Sequence, residues 1–149
     1  MPNWIVSLFV PLLGLCITWT MWFAPIKAVW AVRNSRKIGT LNPYPFAVTI
    51  INCIGWTIYG CMLRNYFVFF GNFTGLVLGF YYLLSVFPYL VPEEREKVEA
   101  MVLVGLIFWS CVGFIAGALF GVSDSQRVQA LLFVGYLASC GGLSYYLGG

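Results

Sequence analysis

The sequence predicts an all-α transmembrane protein, and its composition and charge distribution carry that prediction. The chain of 149 residues is 61% hydrophobic and 9% charged, whereas average proteins are about a quarter charged. Charged side chains leave five uncharged stretches between them, and each is long enough for the ~20 residues of a bilayer-spanning helix. These stretches are residues 1–26, 38–63, 65–92, 100–123 and 128–149. Too few polar groups exist to cover a soluble domain.

Each stretch is predicted to be one helix, because backbone polar groups inside a bilayer must be satisfied within the segment itself. The predicted spans are 4–26, 44–63, 66–89, 100–121 and 129–147. The first is expected to be retained rather than cleaved as a signal peptide, since no basic residue precedes it. The acidic run at 93–99 is expected to form a solvated linker. Short connections make consecutive helices antiparallel.

The basic residues predict the orientation in the membrane. The first loop holds Lys27, Arg33, Arg36 and Lys37, the third holds Arg95 and Lys97, and the second and fourth hold Arg64 and Arg127. Six against two places the first and third loops in the cytoplasm and the N-terminus outside or in a lumen, in the plasma membrane or an endomembrane. The net charge of +3 is too small to predict a nucleic-acid partner. The expected surroundings are the lipid bilayer.

The composition also argues against an enzyme and against a cofactor. The chain has no histidine and no acidic residue inside a predicted span, so it lacks an obvious general base. Its five cysteines form no C-x-x-C pair, so we expect buried, inert thiols and no metal or redox centre. Ion-coupled carriers place ionisable groups within their helices. A solute moved by this chain is therefore expected to run down its own gradient.

The second predicted helix carries a polar stripe. Pro45, Thr49, Asn52, Trp56 and Tyr59 follow one another at spacings of 4, 3, 4 and 3 residues, which puts them on one helical face. An amide, an indole and a phenol on one face suit a neutral, polyhydroxylated ligand. The alternative is interhelical packing by the amide, with aromatic residues near the membrane interface. The spacing alone leaves both open.

The third predicted helix combines a glycine stripe with an asparagine. Gly71, Gly75 and Gly79 recur every four residues, which lets a partner helix approach closely. Asn72 lies beside that stripe and faces either a cavity or a neighbouring backbone. Two prolines flank the basic first loop: Pro25 is expected to kink the first helix, and Pro45 is expected just inside the second.

Several of these motifs resemble the SWEET (MtN3/saliva) family of sugar transporters. The resemblance rests on the run 39–46 (GTLNPYPF), the run 52–60 (NCIGWTIYG), Ala24-Pro25, and Asn72-x-x-Gly75-x-x-Leu78 followed by Tyr81 and Tyr82. The motifs occur in the family's order and spacing over residues ~10–90. The resemblance implies a three-helix bundle equivalent to the first SWEET half, a linker helix, and one helix of the second half.

The resemblance also implies roles for particular residues. Asn52, Trp56 and Asn72 would bind substrate, a small-molecule sugar. Pro25 and Pro45 would be hinges near the cytoplasmic end, and Tyr59 would lie towards the extracellular gate. No residue would be catalytic or hold a metal.

The implied domains are residues 1–90 for the first bundle, 91–121 for the linker and fourth helix, and 122–149 for the start of an incomplete second repeat. A shift of 124 residues pairs Cys16 with Cys140, Thr20 with Ser144, and Trp22 with Tyr146. On that register Gly149 stands opposite Pro25. The chain is expected to be a truncated transporter, or to pair with another copy or a related bundle as a homo-oligomer or hetero-oligomer.

The expected function is bidirectional uniport of mono- or disaccharides by alternating access. One alternative is a PQ-loop-type carrier of another small solute, although its expected Pro-Gln dipeptides are missing. Another is a truncated, non-transporting subunit that assembles with full-length transporters and modulates them.

Overall fold

The computed structural model describes residues 5–119 and 124–147, with side chains described for 6–118 and 125–138, and this part of the chain contains helices and turns but no strand. The helices are α1 (Val10–Phe23), α2 (Ile26–Ser35), α3 (Tyr44–Met62), α4 (Tyr66–Val86), α5 (Pro92–Leu119) and α6 (Asp124–Leu147). A short π-helical turn, Ile5–Phe9, precedes α1, and a 3₁₀ turn, Phe87–Tyr89, follows α4. The predicted all-α architecture is confirmed.

The starts of α3 and α4 follow from local polar and proline residues. Pro45 is the second residue of α3, where a missing N–H costs nothing because first-turn N–H groups have no partner within the helix. Asn65 precedes α4, and its side-chain oxygen accepts hydrogen bonds from the backbone N–H groups of Phe67 (3.1 Å) and Val68 (3.2 Å). This N-cap explains why α4 begins directly after a tight turn.

The first predicted span extends further than expected and is broken. α1 ends at Phe23, and the chain becomes helical again from Ile26 to Ser35, so Lys27 and Arg33 lie on a helix rather than in a loop. The prediction of a loop from residue 27 was therefore wrong. Val29 and Val32 are buried in a core shared with α4, and this packing favours helix despite the charged outer face.

The acidic run after α4 is also helical, which corrects the predicted linker. α5 begins at Pro92 and has Glu93 and Glu94 in its first turn, where negative charge is favourable beside the positive end of the helix dipole. Lys97 Nζ lies 2.7 Å from Glu93 Oε1, one turn away. Glu and Lys are also good helix formers. The helix of 28 residues therefore starts before its apolar part.

Four described helical segments are long and apolar enough to cross a bilayer. They are Val6–Ser35, Tyr44–Met62, Tyr66–Tyr89 and Pro92–Ala118. The fifth predicted span lies in α6, which begins earlier than expected, at Asp124, and is not among these four. Residue 4, residues 120–121 and Gly149 lie outside the described residues, as do the side chains of Cys140, Ser144 and Tyr146.

α4 packs between α1 and α3, and its glycines set both contacts. Towards α1, Gly71 lies against Leu15 and Thr18, and Gly75 lies under the Trp22 ring. Because contacts advance in the same direction along both helices, α1 and α4 run parallel. The predicted close approach at the glycine stripe is confirmed for the described residues.

The contact between α3 and α4 is antiparallel. Gly60 lies against Phe69, Cys53 against Gly75, and Ile50 against Gly79. At the tightest point, a Cβ atom on Gly60 would lie 2.7 Å from the backbone nitrogen of Phe69. The two backbones can approach this closely only because residue 60 has no side chain.

α3 is also the element on which α5 and α6 pack. One core cluster joins α2, α3, α4 and the start of α5 around Ile50, Val86 and Val98, which are all fully buried. A second cluster, centred on Trp109 and Val134, joins α3, α5 and α6. The fourth and fifth predicted helices thus lie directly on the first bundle.

The cysteine prediction is only partly correct. Cys53 is buried, whereas Cys16, Cys61 and Cys111 are exposed on helix faces, and all four are free. An exposed thiol suits a lipid-facing position because cysteine behaves as a small hydrophobic residue.

We predict that Gly60→Ala destabilises the protein by about 1–3 kcal/mol, because the added methyl group meets backbone atoms that cannot rotate away. Gly14→Ala is the matched control, since nothing lies within 4 Å of a Cβ at Gly14 and alanine is the better helix former. Thermal unfolding in detergent should give a lowered Tm for the first variant and an unchanged or raised Tm for the second. Equal Tm values would contradict this account of the α3–α4 contact.

Candidate functional site

The polar stripe predicted on α3 exists as one helical face, and α6 lies along part of it. The Trp56 and Tyr59 rings pack edge to face, with centroids 5.6 Å apart and an interplanar angle of 87°. On α6, Gly135 faces Tyr59, and a Cβ atom on Gly135 would lie 3.2 Å from Tyr59 Cε2. Both aromatic side chains are half-buried.

A small groove between α3 and α6 has Trp56 in its wall. It measures about 210 Å³ and is lined by Trp56, Tyr59, Leu131, Leu132, Gly135 and Tyr136. Small-molecule sites usually enclose about 300–1,000 Å³. The groove therefore offers an aromatic wall rather than a complete, enclosed site.

Asn72 lies at the same level as Trp56 on the neighbouring helix. The antiparallel register that pairs Cys53 with Gly75 and Gly60 with Phe69 fixes this level. Asn72 Nδ2 donates a hydrogen bond of 2.9 Å to the carbonyl oxygen of Val68, one turn earlier in α4. That bond uses one of two amide N–H groups, so the other N–H and the amide oxygen can bind elsewhere.

Asn52 lies one turn before Trp56 on α3, towards the start of the helix. Its side-chain oxygen Oδ1 is buried and has no hydrogen-bond partner in the described structure. An unpaired buried acceptor costs about 1–3 kcal/mol. The structure therefore brings Trp56 and Asn72 to one level and leaves Asn52 with unused hydrogen-bonding capacity.

Pro25 lies at the break between α1 and α2, as the sequence predicts. The tyrosine hydroxyl of Tyr82, on α4, donates a hydrogen bond of 2.8 Å to the carbonyl oxygen of Trp22 beside this break. The indole nitrogen of Trp22 donates in turn to the carbonyl oxygen of Gly71, at 3.0 Å. Two hydrogen bonds therefore tie the end of α1 to α4.

Pro45 lies at the same end of the bundle, because α2 and the segment 36–43 connect the end of α1 to the start of α3. In this segment Asn42 Oδ1 accepts a hydrogen bond of 3.0 Å from the Tyr44 backbone N–H. Pro45 thus marks where α3 begins, and Pro25 marks where the first span is interrupted. The role of the two prolines as hinges stays a prediction.

Sequence reasoning missed three residues that the structure places at or beside the site. Trp22 and Tyr82 secure the bend, and Trp109 on α5 is buried against Gly55 on α3. The glycine stripe predicted that a helix packs closely against α4, but it did not identify Trp22 as the residue in contact. For Trp109 the only signal was an aromatic residue inside an apolar stretch, which is common.

Comparison with known families gives a match over more than half of the chain. A family described as "Sugar efflux transporter for intercellular exchange" matches residues 8–95. The matched segment contains α1 to α4, the start of α5, and all six residues predicted to bind substrate or act as hinge or gate.

Individual relatives are similar at low identity. The bidirectional sugar transporter SWEET5 of Arabidopsis thaliana is 26% identical over 108 residues, which are 70% of this chain and 45% of that protein. The sugar transporter SWEET1 of Dictyostelium discoideum is 25% identical over 77 residues, 52% of this chain and 35% of that protein.

A third relative extends the match over nearly the whole chain. The bidirectional sugar transporter SWEET3b of Oryza sativa subsp. japonica is 25% identical over 147 residues, covering 95% of this chain and 56% of that protein. The chain thus spans about half the length, or less, of these relatives.

We predict that Tyr82→Phe lowers the free energy of unfolding by about 0.5–1.5 kcal/mol, because it removes the hydroxyl that bonds the Trp22 carbonyl. Thermal unfolding in detergent measures this change. Tyr66→Phe is the control on the same helix, because that side chain is 73% exposed. If both variants unfold at the wild-type temperature, the hydroxyl does not stabilise the bend.

Proposed function

The chain belongs to the family of sugar efflux transporters for intercellular exchange, and from this we propose that it moves mono- or disaccharides across a membrane. The observation that supports this most directly is the shared level of Trp56 and Asn72 on adjacent helices of an integral membrane bundle. An indole and a carboxamide at one level match a sugar, which has both an apolar ring face and hydroxyl groups.

We propose distinct roles for the three polar residues. The Trp56 indole covers the apolar face of the sugar ring, as aromatic side chains cover apolar surface elsewhere. Asn72 keeps a free N–H and its amide oxygen for sugar hydroxyls, since only one N–H bonds Val68. Asn52 contributes a second amide one turn nearer the start of α3. Neutral donors and acceptors recognise hydroxyls without the desolvation penalty of buried charge.

Transport is proposed to be bidirectional uniport by alternating access. α3 and α4 contain no Asp, Glu, Lys or Arg, and coupling to an ion gradient usually needs such groups within the membrane. The break at Pro25 and the helix start at Pro45 lie at one end of the bundle and serve as hinges. Tyr59, one turn further along α3 than Trp56 and packed against Gly135, serves as a gate.

The transporting unit is proposed to be an oligomer of this chain or a complex with a related bundle. No residue of α1 is buried, and the groove at Trp56 supplies only one wall of a site. A second bundle, whether a second copy or a related chain, would complete the pocket. In this assembly residues 1–90 form the first bundle, 91–121 the linker and fourth helix, and 122–149 the start of a second repeat, with the N-terminus outside or lumenal.

A second candidate function is a non-transporting subunit that modulates other transporters. One observation favours it: α6 packs against Tyr59 and Trp56, so part of the face that a second bundle would meet is already covered. Hetero-oligomers that resist detergent but show no sugar flux would support this function.

We predict that Trp56→Ala abolishes saturable uptake of radiolabelled glucose and sucrose into proteoliposomes without an ion gradient. The reason is loss of the aromatic wall of the site. Phe114→Ala is the control, because that ring is 79% exposed on α5 and is expected to leave uptake unchanged. If Trp56→Ala took up sugar at the wild-type rate, Trp56 would not be part of the binding site.

We also predict that Asn72→Ala impairs uptake more than Thr74→Ala, by about two- to tenfold, as expected for the loss of one hydrogen bond to the substrate. The two residues are structurally matched. Each side chain bonds the carbonyl oxygen one turn earlier in α4, Asn72 at 2.9 Å and Thr74 at 2.8 Å. Equal losses in the two variants would assign Asn72 to packing within α4.

A further inference from the structure

α3 and α5 form a parallel pair held by side chains that fit over glycines. Ile51 of α3 packs against Gly105, and Ile58 packs against Gly113. In the opposite direction Trp109 of α5 packs directly over Gly55 of α3. The facing positions advance together along both helices, so this register is fixed at three successive levels.

Trp109 carries an unused hydrogen-bond donor into this contact. Its side chain is only 3% exposed, and its indole nitrogen Nε1 is buried without a partner. The indole can only donate, because its nitrogen has no free lone pair for hydrogen bonding. Buried polar groups in folded proteins nearly always have partners, so this N–H requires an explanation.

An unused acceptor lies one turn before Gly55 on α3. Asn52 is three residues before Gly55 on α3, and its buried Oδ1 also has no partner. Positions three apart on a helix are neighbours, with Cβ atoms about 5–6 Å apart. Side chains on a helix lean towards its N-terminus, and α3 and α5 are parallel. The indole on Gly55 therefore leans towards the turn that carries Asn52.

We propose that Trp109 is a positioning residue for Asn52, and this inference rests on the proposed function. Neither atom has a protein partner among the described residues, so the indole N–H reaches Asn52 Oδ1 through one bridging water molecule, a link nearly as favourable as a direct hydrogen bond. A carboxamide whose oxygen is held in this way presents its Nδ2 N–H groups instead. The sugar then meets a hydrogen-bond donor at Asn52, set by a helix outside the first three-helix bundle.

The hydrogen bond is tested by NMR of the full chain labelled with ¹⁵N-tryptophan. The Trp109→Phe variant identifies the Trp109 indole signal among the six tryptophans. In Asn52→Leu, which keeps the side-chain size but removes the acceptor, we expect this indole proton to shift upfield and to exchange faster with solvent. Thr49→Val is the control, being a similar loss of polarity one turn earlier on α3. An indole signal that is unchanged in Asn52→Leu overturns the inference.

Sugar binding supplies the second readout, in a double-mutant cycle. Trp109→Phe keeps a ring over Gly55. It is expected to raise the Kd for sugar about two- to tenfold, as for one lost hydrogen bond. The same substitution made in Asn52→Leu is expected to add no further loss. Additive losses in the double variant also overturn the inference.

The two hypotheses fail in different ways. Wild-type protein that binds and transports no sugar refutes the proposed function, while the NMR experiment still reports on the bond between Trp109 and Asn52. If the wild-type protein transports sugar but the Trp109 indole signal is unchanged in Asn52→Leu, only the positioning role is refuted.

Discussion

The architecture depends on backbones approaching one another at glycines of α3 and α4. Gly60 brings α3 against the backbone of α4, and Gly75 makes room for both Trp22 and Cys53. Inside a bilayer, lipid tails are as apolar as the helices, so the hydrophobic effect does not hold helices together, and close van der Waals packing must. Because the Gly60 contact involves rigid main-chain atoms, it also fixes the register of the two helices. The shared level of Trp56 and Asn72 follows from that register.

At the break beside Pro25, a side chain of a neighbouring helix bonds a carbonyl at the end of α1, while the Met21 carbonyl, four residues before the proline, accepts the Ala24 N–H at 3.3 Å. A proline removes a backbone donor and interrupts the ladder of hydrogen bonds. The Tyr82 hydroxyl, reaching from α4, satisfies a carbonyl at the interruption. Together with the hydrogen bond from the Trp22 indole to the Gly71 carbonyl, this contact ties the end of α1 to α4.

The sequence was sufficient to predict those helices and helix contacts that depend on hydropathy, glycine or proline. The apolar runs predicted α3 and α4 nearly to the residue, and the stripe from Gly71 to Gly79 predicted a close helix contact. Charge misled the prediction at Lys27 and Glu93, because exposed charges are compatible with a helix whose other face is buried. The contact of Trp109 with Gly55 could not be predicted, since Trp109 is distant in sequence and its position depends on how α5 packs on α3. Side-chain pairs between distant helices depend on register, which composition does not encode.

The charge boundary on α5 sets the depth of each part of the protein in the bilayer. Trp109 follows Glu99, the last charged residue of α5, by ten residues, or about 15 Å of helix. The hydrocarbon layer is about 30 Å thick, so Trp109, with Gly55 beneath it, lies near its centre. The same parallel register places Pro45 level with Glu99, at the boundary of lipid and water. A fixed helix pair thus holds one candidate hinge at the surface and Trp56 at half depth, equally far from both aqueous phases.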